Sequence, residues 1–143
     1  MSEINNKLLF TKIPEEVTFD KTTIVEYAKV SDDLISTMIK LCGVGLAANQ
    51  VGLRYRAFAM FVNNYPEVLF NPKITQKVRG LTIMEEGCLS YPNKILLKAR
   101  MPEIEVSWKN HAGTNYKQWL KGIEAICFQH ELNHLDGKDW END

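Results

Sequence analysis

A chain of 143 residues that is 45% hydrophobic is long enough for one domain, residues 1–143, with a substantial core. Its formal net charge is −1, with seventeen Lys and Arg interspersed among eighteen acids, so it lacks the basic patch of a nucleic-acid binder. No apolar run approaches the ~18 residues of a membrane span or follows a basic leader, so neither a membrane segment nor a signal peptide is expected and a cytosolic compartment follows.

Three cysteines, Cys42, Cys88 and Cys127, cannot all pair, which fits reduced thiols better than a disulfide framework. Residues 1–22 mix short apolar pieces, Leu8-Leu9-Phe10 and Ile13-Pro14, with charges and read as an extended arm packed on the domain. Ser31 is a candidate N-cap, with Asp32 and Asp33 in the first turn. Leu34, Ile35, Met38, Ile39, Leu41 and Cys42 then recur at helical spacing, and Gly43 ends the run. Residues 43–52 are too small and glycine-rich for a good helix or a continuous strand, and their glycines permit close backbone approach to a ligand. Neither Gly-Lys-Ser/Thr nor G-x-G-x-x-G is present, which sets a phosphate loop aside.

Residues 55–62 are rich in strand formers, and Val68-Leu69-Phe70 and residues 74–78 predict further short strands broken at Asn71-Pro72. Residues 85–92 predict a loop carrying the Cys88 thiol. Ile104, Val106 and Trp108 alternate with Glu105 and Ser107, residues 111–114 turn, and residues 116–120 return as a strand. His111 in that turn reads as solvated. The layout is α+β, with mainly antiparallel sheets packed around a central C-terminal helix.

That helix, residues 122–137, carries Ile123, Ile126, Cys127, His130 and His134 on one face and Ala125, Phe128, Leu132 and Leu135 on the other. Gln129, Asn133 and Asp136 leave a narrow polar strip, and a helix apolar on two sides is central. Gly137 is its expected stop. His130 and His134 lie one turn apart on one face, about 6 Å along the axis, within reach of one metal ion. Glu131, about 100° round the helix, completes H-E-x-x-H, in which the metal acidifies a water and the glutamate takes its proton.

A catalytic metal takes three protein ligands and keeps one position open, so a third is required. Cys127 lies about 10 Å along the helix axis from His134, too far to share an ion. Cys42, Cys88 and His111 remain open on spacing, with Cys88 favoured by its turn beside Gly87 and by neighbouring acids.

Three stretches, in this order, resemble the signature motifs of peptide deformylases: Gly43-Val44-Gly45-Leu46-Ala47-Ala48-Asn49-Gln50, Glu86-Gly87-Cys88-Leu89-Ser90 and Gln129-His130-Glu131-Leu132-Asn133-His134. The resemblance runs over residues 31–137. It implies an enzyme that removes formyl from the N-terminal methionine of new polypeptides, with one divalent ion held by Cys88, His130 and His134. Ferrous iron is the implied native ion, with zinc or nickel as substitutes. Glu131 is then the proton carrier, and the Gln50 amide and Leu89 N–H donate to the formyl oxygen. Val44, Gly45, Leu46, Glu86, Gly87, Ile126 and Cys127 match positions near substrate, and Arg100 matches an arginine expected to pair with Glu86 and orient the Cys88 loop.

Asn133 departs from the family's usual Asp, which weakens any ion pair there without touching the ligands. The chain stops nine residues after His134 where many members continue into a long helix, so it resembles the short phage-encoded forms. The resemblance thus implies N-formylmethionyl peptides as partners, a monomer, weak transient contact with ribosomes, no nucleic acid and no membrane, in a bacterial or infected-host cytosol. A structural metal module would need a fourth ligand, which the spacing does not supply. Another metallopeptidase would not need Gln50 and the Cys88 stretch, and a non-catalytic binder of formylated ends would not need Glu131.

Overall fold

The computed structural model describes residues 3–6 and 13–141, and the Leu8-Leu9-Phe10 part of the expected arm lies outside them. The elements are α1 (Thr23–Lys40), β1 (Gly45–Ala47), a 3-10 turn (Ala48–Gln50), β2 (Ala57–Val62), β3 (Tyr65–Lys77), β4 (Thr82–Cys88), β5 (Tyr91–Arg100), β6 (Glu103–Lys109), β7 (Asn115–Lys121) and α2 (Ile123–Leu135). Five strands form an antiparallel sheet in the order β1-β2-β3-β6-β7, and β4 and β5 pair separately as a two-stranded antiparallel sheet. This is the expected α+β arrangement. Among the described residues no helix is long and apolar enough to cross a membrane.

The two helices cover opposite faces of the larger sheet. Phe58, Met60 and Val62 of β2 pack with Phe128 and Leu135 of α2, whereas Ala57 and Ala59 point to the other face, with Leu34 and Met38 of α1. Strand alternation serves both layers at once, which is why β2 is an almost unbroken apolar run. In β6, by contrast, Ile104, Val106 and Trp108 are buried and alternate with half-buried positions.

Several local expectations differ from the structure. Helix α1 starts at Thr23, eight residues before Ser31, because Asp20 accepts bonds from the Thr22 and Thr23 N–H groups at 2.7 and 3.2 Å. Ile39, Leu41 and Cys42 are exposed, and the left-handed residue that ends the helix is Cys42 (φ 56°), not Gly43. Residues 65–77 form one strand instead of two. Asn71 (φ 50°) forms a bulge there, and its side chain is held by both backbone groups of Val17 at 2.8 and 2.9 Å, so Pro72 needs no ladder partner. Asn63 and Asn64, both at positive φ, make the two-residue turn between β2 and β3.

In α2, Gln129 is buried instead of lying on a polar strip, bonded to Met101 N and O at 2.8 and 2.7 Å. Ile123 is 69% exposed instead of facing inward. Gly137 (φ 72°) ends the helix as expected, with its N–H on His134 O at 3.1 Å and that of Lys138 on Asn133 O at 2.9 Å.

Candidate active site

The expected loop 85–92 is the turn of a hairpin: Glu86 pairs with Leu96, Gly87 with Ile95 and Cys88 with Tyr91 across β4 and β5. The turn brings Cys88 to the inner face of α2, where His130 and His134 stand one helical turn apart. The ligand-capable atoms of these three residues lie within 4.8 Å of one another. Cys88 Sγ is 3.2 Å from His134 Nε2, which is 3.1 Å from His130 Nε2. The alternatives left open by spacing do not join them among the described residues: Cys42, exposed just after α1, lines the neighbouring cavity but is not in the cluster, and His111 is exposed in the β6–β7 turn.

The donors fit a divalent ion. His130 Nδ1 lies 2.9 Å from Glu86 Oε1, and a carboxylate can only accept, so Nδ1 carries the hydrogen and the Nε2 lone pair faces the cluster. Two buried imidazole nitrogens and a thiol sulfur facing one another at such distances repel unless a proton or a cation lies between them. The surroundings favour positive charge on one ring only. Burial disfavours it on both, but Glu131, Cys88 and Glu86 outweigh burial at His130, whereas burial and the His130 charge hold His134 well below the usual range. A sulfur and two nitrogens are a donor set suited to zinc or ferrous iron.

Glu86 is nearly enclosed. Arg100 donates to it through Nε and Nη2 at 2.7 and 2.8 Å, a bidentate pair with both partners buried. Burial alone would raise its carboxyl, but the bonds from Arg100 and His130 outweigh that and bring it down to about 2. The pair expected between Arg100 and Glu86 is therefore present, the same carboxylate also faces His130 Nδ1 through Oε1, and Glu86 lines the cavity beside the cluster. Glu131 is 4% exposed, its Oε1 has no partner, and its Oε2 lies 3.9 Å from His130 Nε2. Burial pushes its carboxyl up to about 7 despite the opposing His130 charge.

A cavity of about 710 Å³ opens onto this cluster, walled by Val44, Gly45, Gly87, Leu89, Ile126 and Cys127. Gly45 lies so close to α2 that a Cβ there would sit 2.6 Å from Glu131 Oε2 and 2.8 Å from Cys127 Sγ. Cys127 donates to Val44 O at 3.4 Å, and its thiol is pushed well up by burial and then by nearby carboxylates. Leu46 does not line the cavity. It is fully buried in the layer under α1, because β1 turns alternate residues to opposite faces. The Gln50 amide is oriented at both ends: Oε1 accepts from Ala47 N at 2.9 Å and Nε2 donates to Ser90 Oγ at 2.9 Å, with Cys88 Sγ 3.7 Å away.

Sequence reasoning assigned no role to Asn49, Ser90 or Trp140. Asn49 Nδ2 donates to His134 O at 2.7 Å, and Trp140 Nε1 donates to Glu86 Oε1 at 3.3 Å. Membership of the two motifs was an available signal for Asn49 and Ser90. Trp140, beyond the helix stop, carried none.

The family model described as polypeptide deformylase matches residues 2–140. A peptide deformylase of Thermotoga maritima is 40% identical over 109 residues, 76% of this chain and 66% of that protein, so the match spans just under two thirds of that relative. The crystal structure of peptide deformylase from Thermotoga maritima superposes with a TM-score of 0.88 at 36% identity, covering 96% of this chain and 93% of that one. A deformylase from the Vibrio parahaemolyticus bacteriophage VP16T, solved in complex with actinonin, gives 0.85 at 29% identity over 96% and 97% of the two chains. With a thiol and two imidazoles converging beside a buried glutamate, and a family match over nearly its whole length, this chain belongs to the polypeptide deformylase family.

Proposed function

We propose that this chain, acting as one catalytic domain, hydrolyses the formyl group from N-formylmethionyl peptides, with one divalent ion held by Cys88, His130 and His134. The observation that carries the reading is the convergence of those three donors beside Glu131, whose buried Oε1 has no partner, at the wall of a cavity of about 710 Å³. When bound, the ion supplies a Lewis acid that polarises a carbonyl oxygen and makes water nucleophilic at neutral pH.

The protein's own groups do the rest. The Glu131 carboxylate takes a proton from the attacking water and delivers it to the amine nitrogen as the carbon–nitrogen bond breaks, giving formate and a free N-terminus. Burial raises the proton affinity of that carboxyl, which suits it to take a proton and hand it on. The Gln50 Nε2 and Leu89 N–H groups donate to the formyl oxygen as it gains charge, and loss of one such donor costs ~10²–10³ in rate. Gln50 is suited to this because Ala47 and Ser90 already fix which end of its amide faces the cavity. Val44 and Ile126, with Ile123 at the rim, offer apolar surface to the methionine side chain, and Glu86 holds the His130 ring.

Ferrous iron is the native ion in this reading, and zinc, which binds such donors more tightly, replaces it during aerobic purification. A near-zero net charge makes electrostatic attraction to ribosomal RNA weak, so contact with ribosomes is transient in this reading, which takes the acting species to be a monomer. The test is formate release from formyl-Met-Ala-Ser by anaerobically iron-loaded protein, with zinc-loaded protein in parallel. Release in proportion to bound iron, and slower with zinc, is expected. Fully loaded protein that releases no formate, or that cleaves internal peptide bonds instead, would overturn the reading.

A further inference from the structure

Trp140 is 3% exposed, and its indole N–H reaches Glu86 Oε1 at 3.3 Å. That oxygen also accepts from Arg100 Nη2 at 2.8 Å and faces His130 Nδ1 at 2.9 Å, while Oε2 takes Arg100 Nε at 2.7 Å. The indole packs against the His130 ring, centroids 5.9 Å apart, and against Tyr91, centroids 5.6 Å apart. The backbone around it is fastened to β5: Tyr91 OH donates to Asp139 Oδ1 at 2.9 Å, and Lys94 pairs with Glu141. Trp140 therefore touches both the helix that supplies two histidines and the hairpin that supplies Cys88.

We infer that Trp140 is a positioning residue for the metal centre, holding the Glu86 carboxylate in the pose that aims His130 Nε2 at the ion. The inference rests on the ion being held by Cys88, His130 and His134. Arg100 grips both carboxylate oxygens from within the hairpin, which fixes the carboxylate relative to β4 and β5 but does not tie it to α2. The indole N–H, carried just past α2, gives Oε1 a further donor and its ring packs against His130, so the carboxylate keeps its orientation and the Glu86–His130 bond stays buried. A buried indole N–H needs an acceptor, and this one has Glu86.

The test loads the protein with zinc and follows release to an excess of chromogenic chelator, alongside thermal unfolding of the metal-free protein. Trp140→Phe keeps an aromatic ring and removes only the N–H. It is expected to release zinc about tenfold faster, the lower end of the ~10–100-fold range for partners of metal ligands, with the metal-free Tm within about 4 °C of the parent. Trp140→Leu, which also loses the ring, should release it faster still. Release from Trp140→Phe within twofold of the parent overturns the inference, as does accelerated release accompanied by a metal-free Tm drop beyond about 10 °C, which marks a general packing role. His130→Ala and Cys88→Ala are measured in parallel. If they retain zinc as the parent does, the assignment of the centre falls and the role of Trp140 with it, whereas their failure to retain zinc with Trp140→Phe unchanged removes only Trp140.

Discussion

Gly45→Ala isolates the closest approach in the site. An added Cβ would stand 2.6 Å from Glu131 Oε2, 2.8 Å from Cys127 Sγ and 3.0 Å from Glu131 Cγ. Non-bonded heavy atoms settle at roughly 3.5 Å or more, so the carboxylate must retreat by somewhat under about 1 Å. Glu131 is almost fully buried on the rigid α2, which packs directly on both β1 and β2, so the side chain can yield only toward the cavity. A misplacement near 1 Å costs about 10²-fold in rate, and overpacking costs about 1–3 kcal/mol, or a Tm drop of about 2–12 °C for a chain of this size. None of the three metal donors is touched, so metal content should stay at the parent's level. Formate release and thermal unfolding are the assays. Adding Cys127→Ala removes the contact with sulfur and leaves that with the carboxylate, so the double variant should recover part of the stability and little of the rate. A Gly45→Ala protein with kcat within fivefold of the parent would show that this contact does not hold Glu131 in place.

Glu131→Gln should keep the metal and the fold and lose ~10²–10⁴ in turnover, because it removes a base and no ligand; near-parental formate release would mean that another group moves the proton. Arg100→Met leaves the Glu86 carboxylate buried without its two strongest donors, so urea unfolding should show a loss of about 3–5 kcal/mol and metal competition a loss of ~10–100-fold. Parental values in both assays would reduce the pair to an inert contact. Glu86 is held at about 2 against an ordinary 4.5, so the native state binds fewer protons than the unfolded chain; its contribution is complete above about pH 4.5 and is lost as pH falls toward 2. Metal-free Glu86→Gln should therefore lose less stability than the parent between pH 5 and about 2, and equal slopes would contradict the sign.

Reading the fold from sequence worked where burial writes a periodicity. The alternation in β6 and the unbroken apolar run of β2 both follow from which faces are covered, and H-E-x-x-H on a doubly apolar helix places two candidate ligands without any tertiary information. It failed where a side chain overrules the local pattern. Asn71-Pro72 looked like a break because Pro cannot donate, yet Asn71 carries the strand through by bonding Val17, more than fifty residues away in sequence. Asp20 moves the start of α1 away from Ser31 in the same way. Leu46 sits in a motif that resemblance associates with substrate, but strand alternation sends its side chain into the core, and motif membership says nothing about which way a residue points.

The hairpin carrying Cys88 was missed for a reason that bears on function. The only buried residues of β4 and β5 are Glu86, Lys98 and Arg100, all charged, while Ile83, Ile95 and Leu97 are about 70% exposed. No apolar face is buried, so no alternation marks the strands in the sequence, and hydrophobic burial contributes little to holding them against α2. What joins them to the rest of the protein is polar: Glu86 to His130 and Cys88 beside His134 reach the helix, and Gln50 of the 3-10 turn reaches Ser90, while Arg100 holds Glu86 from within the hairpin. An ion shared by Cys88 and the two histidines would be one more bond across that same junction. Binding only the docked hairpin, it stabilises docking by its full linkage free energy, and undocking in turn weakens the site. Amide exchange in β4 and β5 should therefore slow on zinc loading by more than it does in β2 and β6, whose protection comes from the apolar core. Equal slowing in all four strands would show that the hairpin is held independently of the centre.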